Sequence, residues 1–463
     1  MKIVDVAANV LRVPELRNRL FFTLGMLAVY RLGSQVPIPG VNVVHWAQYV
    51  HQNQDSLWGI ANLFSGSSLS GMTVFALGIT PYITASIILQ LMTAFVPQLA
   101  RLQQEGELGR RKISQWTRYL TVLLAIAQSF GSALAIAKMP GEFALSTGPG
   151  FYLMTMASLT AGSTFIMWLG EQITARGLGN GASLLIFTNI VVGLPRALGN
   201  LYTNTFVTHE WSVLQLTVVA VVMALVVAFV VLVERGERRI PIQYAKRIIG
   251  RRVLGSQATH IPIKVNSAGV VPVIFASAML TIPHSLSQLP GLASLSWPGS
   301  FLAGVLPLLK QGEPLYYLVF AVAVILFSFL YVSIIFNPNE AADNLRKYGG
   351  FIAGSRPGRE TAQHFDGVLT RLTFIGGLYL VLICLIPDVM LFGIKLQHLW
   401  FAGNWMDLHM PRFLLDGMNV NFAFGGTSLL IVVGVAMDLI NQIEAQLIMR
   451  HYETFRPRGR RRA

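Results

Sequence analysis

Two stretches of the chain decide the fold: Gly78-Ile-Thr-Pro81-Tyr-Ile83-Thr-Ala85-Ser86-Ile-Ile-Leu89 and Gly269-Val-Val-Pro272-Val-Ile274-Phe-Ala276-Ser277-Ala-Met-Leu280. Gly, Pro, Ile, Ala, Ser and Leu recur at one constant offset. Both stretches are apolar, and Gly and Pro at matching places in two halves of a membrane chain point to paired, functionally placed helices. The stretches fall in the second and seventh spans, which cross in opposite directions, so the halves they belong to are inverted relative to each other. The expectation is an inverted repeat, with one half over 1–200, a second over 201–447 and a basic tail over 448–463.

The composition around the repeat agrees. Only 12% of the 463 residues are charged and 53% are hydrophobic, and mean hydropathy is +0.57. A soluble domain carries about twice that charge density, because its surface must be polar. This excludes an ordinary soluble enzyme, a disordered chain and a disulfide scaffold; the one cysteine, Cys384, has no partner within the chain. A bilayer core of ~30 Å requires ~20 apolar residues in a helix. Ten windows qualify, near 20–36, 72–95, 119–137, 151–171, 182–200, 213–233, 267–286, 315–336, 368–388 and 425–447. The first is the weakest: Arg31 interrupts it near its end, where the side chain can snorkel to the interface.

The formal net charge of +14 tests the topology. With ten spans, 29 of the 35 Lys and Arg residues fall in the two termini and the even-numbered loops. Only Arg31, Lys138, Arg196, Lys310, Lys395 and Arg412 lie toward the other side. Basic residues collect on the cytoplasmic side, so both termini are expected in the cytoplasm, with no removable signal peptide.

The chain lacks a nucleotide phosphate loop, a dinucleotide fingerprint, a hydrolase elbow and any His or Cys pair at metal-ligand spacing. Neither a catalytic site nor a metal nor another cofactor is expected. Ionisable groups inside the spans are few: Glu171, Asp388 and Glu444 lie at span ends, and Asp438 is deepest. A carrier coupled to protons or sodium keeps such groups near the midplane. Asp438 is the single candidate, and a position facing a wet cytoplasmic vestibule explains it as well. These features read as a passive conduit with an apolar interior, with a secondary transporter of small solutes as the alternative.

Several motifs give the reading a family. The segments Phe75-Ala-Leu-Gly-Ile-Thr-Pro-Tyr-Ile83, Glu105-Gly-Glu-Leu-Gly-Arg-Arg-Lys-Ile-Ser114, Trp168-Leu-Gly-Glu-Gln-Ile173, Gly179-Asn-Gly181, Val233-Glu-Arg-Gly236, Lys264-Val-Asn266, Phe336-Asn-Pro338, Ala342-Asp-Asn-Leu345 and Gly425-Gly-Thr-Ser-Leu-Leu430 resemble, in order, signatures of the SecY family of protein-translocation channels. The likeness runs from about residue 15 to 455. It implies an all-α polytopic membrane protein, with ten transmembrane helices in two inverted, pseudo-symmetric five-helix halves around a central pore with a lateral gate.

The resemblance also implies site residues. A constricting pore ring falls on Ile79, Ile83, Ala182, Ile186, Ile274 and Ile431; Ala182 departs from the larger aliphatic residue usual there and loosens the ring. A plug covers about 57–70, including Asn62, Leu63, Phe64, Ser65 and Gly66, although the stretch also reads as an ordinary extracytoplasmic loop. The lateral gate lies between the second and seventh spans, with Thr84, Gln90, Asn180 and Ile282 in its region. Arg251, Arg252 and Arg356, in two basic loops, match docking positions for the ribosome or the SecA motor. Expected partners are SecE, SecG, the SecA ATPase, the ribosome, preprotein signal sequences, membrane lipid and the auxiliary SecDF and YidC proteins. The segment 389–424 receives no role.

Overall fold

The repeat is conformational as well as sequential. In a computed structural model of the chain, Gly78 and Gly269 adopt φ of +58° and +63°, the left-handed region in which glycine carries no steric cost. Two residues later a helix begins in each half: α3, Thr80–Phe95, and α9, Val271–Ser287. Pro81 and Pro272 each occupy the second helical position, where the missing N–H is not needed. The turns close alike, Gly78 N–H donating to the Phe75 carbonyl at 2.8 Å and Gly269 N–H to that of Asn266 at 3.4 Å. The structure describes residues 13–52, 66, 68–138, 143–145, 148–209, 212–244, 247–249, 252–254, 259–287, 312–393 and 426–454.

Before α3 stand α1, Pro14–Gly33, and the short α2, Val43–Gln52. After it come α4, Pro97–Gln104; α5, Glu107–Lys138; α6, Pro149–Arg176; and α7, Gly181–Tyr202, closed by a π-helical turn. The second half holds α8, Val213–Glu234; α9; α10, Pro314–Ile335; the short α11, Pro338–Lys347; α12, Arg359–Phe392; and α13, Gly426–Thr454. Every expected window carries a helix. By length and composition, seven stretches among the described residues suffice to cross a membrane: Glu107–Ala137, Pro149–Arg176, Gly181–Gly199, Val213–Glu234, Pro314–Lys347, Arg359–Val389 and Gly426–Leu447. The other three windows correspond to α1, α3 and α9. Both members of the repeated pair are short, 16 and 17 residues, because each follows an irregular turn. Such turns are tolerated at membrane depth where protein buries them; Ser68, Leu69, Ser70, Met72, Thr73, Phe75 and Ala76 before α3 are all buried. The expected start at residue 72 is therefore corrected to Thr80: the apolar run continues, but Gly78 breaks the helix.

Packing repeats too. In the first half α3 packs on α5, α5 on α6, α1 on α6, and α6 on α7; in the second, α9 on α10, α10 on α12, α8 on α12, and α12 on α13. Between the halves, α3 meets α9 and α10, and α7 meets α13. One apolar cluster takes in residues of α1, α3, α6 to α10, α12 and α13, from Tyr30 and Ile87 to Val324 and Leu430.

Close approaches are made by glycines. A Cβ on Gly162 of α6 would overlap the carbonyl oxygen of Val74, in the turn before α3. Backbone cannot yield as a side-chain tip does, and overpacking costs about 1–3 kcal/mol. Gly162→Ala is expected to lower the thermal midpoint of the purified protein in detergent, whereas Gly25→Ala, with nothing near its Cβ position, leaves it unchanged.

The basic loops add an element to the expected helices. Strands β1, Glu237–Tyr244; β2, Arg247–Ile249; β3, Arg252–Leu254; β4, Thr259–Lys264; and β5, Gly350–Ile352 form a three-stranded antiparallel sheet in the order β4–β1–β5 and a β2–β3 hairpin. Alternation drives the sheet: Ile240 and Ile242 on β1 and Ile263 on β4 face an apolar cluster with Leu345, Ile352, Phe365 and Leu369, while Arg238 and Arg239 are exposed. The sheet joins the basic loop after α8 to the one after α10.

Candidate channel, gate and docking surfaces

The six proposed ring positions come from the first two turns of four helices. Ile79 caps α3 and Ile83 is one turn in; Ala182 and Ile186 stand four residues apart on α7; Ile274 and Ile431 begin α9 and α13. A spacing of four places each pair on one helix face. Ile79, Ile186, Ile274 and Ile431 are buried, and Ile83 and Ala182 pack against the same apolar cluster. The four helices are those that pack across the halves, α3 with α9 and α7 with α13, and each of the six carries only aliphatic side-chain atoms.

The expected plug lies mostly outside the described residues: Asn62, Leu63, Phe64 and Ser65 are not among them. Gly66 is, and it is buried with φ of +64°. Its carbonyl accepts a bond from the Arg31 guanidinium at 3.2 Å, which also reaches Ser34 Oγ at 3.3 Å. A Cβ on Gly66 would stand 2.6 Å from Asn189 Oδ1 on α7. Arg31 therefore holds a backbone carbonyl within the stretch expected to form the plug.

The gate residues separate. Thr84 is buried and bonds within its own helix, to the Thr80 carbonyl at 3.0 Å. Gln90 donates to Ser86 Oγ at 3.1 Å and, with Ile87 and Leu91 of α3, lines a small apolar recess against Phe275 of α9 and Phe327, Leu330, Tyr331 and Ile334 of the α10 helix. Asn180 is exposed and caps α7, its Oδ1 accepting from Ala182 N–H at 3.1 Å. Ile282 is on α9, and its side chain lies outside the described residues. Thus Thr84, Gln90 and Ile282 share the α3–α9 pair, while Asn180 belongs to the α7 terminus.

Among the docking arginines, Arg251 lies outside the described residues. Arg252 opens β3, with its side chain likewise outside. Arg356 is exposed between Gly354 and Gly358, whose φ values are +88° and +109°. Its backbone is fixed on both sides: its N–H donates to Glu360 Oε2 at 3.0 Å, and its carbonyl accepts from Thr361 Oγ1 at 2.8 Å. None of the ion pairs among the described residues uses its guanidinium.

Asp438 stands 3.7 Å from Lys264 Nζ with half its side chain exposed, so it faces the basic loops and not an enclosed midplane site. Two polar contacts have no counterpart in the sequence reading. Asp388, 3% exposed, accepts from Gly426 N–H at 2.9 Å and so neutralises an orphan donor at the start of α13. Arg118 of α5 pairs with Glu171 of α6 at 2.8 Å. Both acids were visible at span ends; their partners lie 38 and 53 residues away, beyond any local signal. Among the described residues no three His, Cys, Asp or Glu side chains are grouped to hold a metal.

Comparison with known proteins bears on this arrangement. The chain is 46% identical over 442 residues to the protein translocase subunit SecY of Escherichia coli K12, covering 95% of this chain and 94% of that one. It is 45% identical to the Vibrio cholerae protein of the same name, covering 96% and 94%. A solved SecY channel, described with a plug domain that stabilises its closed state and maintains a membrane seal, superposes with a TM-score of 0.61 at 15% identity, over 95% of this chain and 94% of that one. The SecY family profile matches residues 73–440. With that profile over most of its length and 46% identity across 95% of it, the chain belongs to the SecY family.

Proposed function

We propose that this chain is the protein-conducting channel through which unfolded preproteins cross the bacterial cytoplasmic membrane and membrane segments enter it. The observation that carries the reading is the convergence of Ile79, Ile83, Ala182, Ile186, Ile274 and Ile431, from helices of both halves, in one apolar cluster. A narrow aliphatic constriction blocks water and ions by dewetting, and it offers a passing chain no strong polar site at which to stall. Separation of α3 from α9 exposes a passing segment to lipid, where its hydrophobicity decides whether it stays.

In this reading the chain crosses the membrane ten times with both termini in the cytoplasm. The halves are 1–200 and 201–447, followed by the 448–463 tail. Residues 57–70 form the plug, with Gly66 as an anchoring point within it. SecE and SecG complete the channel; SecA or the ribosome docks on the basic loops and supplies the drive, so the chain itself makes and breaks no bonds. Reconstituted vesicles carrying the chain with SecE and SecG are expected to import a preprotein only with SecA and ATP; import without either, or none with both, sinks the proposal.

The gate has its own test. Thr84 and Ile282, changed to cysteine with Cys384→Ser, are expected to form a disulfide under oxidation, since α3 and α9 pack on each other and the reading makes them an antiparallel pair with these positions facing. A disulfide requires Cα atoms within about 7 Å. The bond should block insertion of a membrane segment, with recovery on reduction. Failure to crosslink in every ligand state counts against this pairing.

A further inference from the structure

The turn that begins α9 is held by a polar contact that its counterpart in the other half lacks. Asn266, 2% exposed, gives one amide hydrogen to Glu234 Oε1 at 2.7 Å and the other to the Gly269 carbonyl at 3.2 Å. Glu234 is the last residue of α8 and is 5% exposed; Gly269 is the left-handed residue that turns the chain into α9. One side chain thus ties the end of α8 to the start of the proposed gate helix. At the equivalent place in the first half stands Phe75, which stacks on Tyr30 near the end of α1, ring centroids 5.6 Å apart and planes 6° from parallel.

A buried carboxylate at a helix C-terminus is a poor choice for stability alone. Burial strips its water, and the helix dipole repels it. Neither cost arises at the apolar equivalent, so the fold does not demand the acid. Its position shows what it can serve. Strand β4 ends at Lys264, two residues before Asn266, and Val265 N–H continues the pairing by donating to the Gly236 carbonyl at 2.9 Å. Lys264 itself reaches Asp438 on α13. The sheet that joins both basic loops therefore runs directly into the Glu234–Asn266 contact. Hydrogen bonds weaken steeply with misalignment, so a small shift of β4 suffices to release the turn, whereas a stacked aromatic pair yields gradually.

We propose that Glu234 and Asn266 form a latch that holds the first turn of α9 and sets the resting equilibrium of the gate. The two are positioning residues, acting on the channel through α9, and the proposal rests on the gate reading above. The test uses the assembled channel with Asn266→Leu, which keeps the shape and removes both donors, and Glu234→Gln, which keeps an acceptor oxygen but removes the charge. Two quantities are measured at matched channel density: amide hydrogen exchange over 269–274 in lipid discs, and resting ion conductance in planar bilayers. Exchange and conductance should both rise several-fold in Asn266→Leu and by less in Glu234→Gln. If Asn266→Leu does not fold, the rise in Glu234→Gln carries the test. Unchanged exchange in the folded variants overturns the latch. Raised exchange with wild-type conductance also overturns the positioning role, and it places the fault in the gate reading, because α9 then loosens without consequence for the pore.

Discussion

Replacing Ile83, Ile186 and Ile274 together with serine is expected to raise the resting conductance of the channel several-fold in planar bilayers without substrate. The three residues come from α3, α7 and α9 and meet in one apolar cluster, Ile186 and Ile274 being buried and Ile83 partly so. Each substitution removes aliphatic volume, and core truncations of this kind leave cavities that surrounding structure fills only in part. The hydroxyls also give water a partner. A constriction gates by dewetting only while it is both narrow and apolar, and the triple change attacks both conditions at once. Ala182 on the same face of α7 already contributes less volume than its neighbours, so only Ile79 and Ile431 remain as large aliphatic ring members. Single changes should be weaker than the triple, because the remaining side chains can lean inward. The comparison requires equal amounts of folded protein, judged by gel filtration and by thermal midpoint. An unchanged resting conductance in folded triple variant would remove these residues from the seal.

Much of this architecture was legible in the sequence because its signals are local. Gly-x-x-Pro fixes a left-handed turn and a helix start within a few residues, so the repeat at Gly78 and Gly269 could be read before any packing was known. The charge asymmetry of the loops is likewise additive along the chain. What the sequence withheld is non-local. Pairing of β1 with β5 joins Gln243 to Phe351, and no periodicity in either strand names the other. The alternation in Arg239-Ile-Pro-Ile-Gln-Tyr244 was available as a strand signal, yet a strongly basic loop beside a transmembrane helix is equally well explained by topology. Val233-Glu-Arg-Gly236 and Lys264-Val-Asn266 were recognisable as motifs, but a hydrogen bond spanning 32 residues has no signature in either. Hydropathy also misplaced the start of α3, because the buried turns before it are as apolar as the helix.

Arg356→Glu is expected to abolish most SecA-driven import while leaving the channel folded and closed at rest. Topology requires basic charge in this loop, but Arg346, Lys347 and Arg359 supply it. The geometry around Arg356 is what topology does not require. Gly354 and Gly358 both take left-handed φ, Pro357 fixes its own φ, and the backbone of Arg356 is tied to Glu360 and Thr361. A loop held this way presents an exposed side chain at low entropic cost, which favours a partner in proportion to the ordering already done. Arginine offers a planar multi-donor fork to carboxylates and carbonyls that lysine cannot match, so Arg356→Lys should fall between the two. Reversing a docking charge costs roughly 2–5 kcal/mol, and the lower figure already weakens binding about thirtyfold. The loss should therefore shrink as SecA concentration is raised, which separates a docking defect from a blocked pore. Resting conductance should match wild type, because the loop lies at the sheet and not among the ring residues. Wild-type import by Arg356→Glu vesicles at limiting SecA would leave this arginine as one more residue of the basic loops.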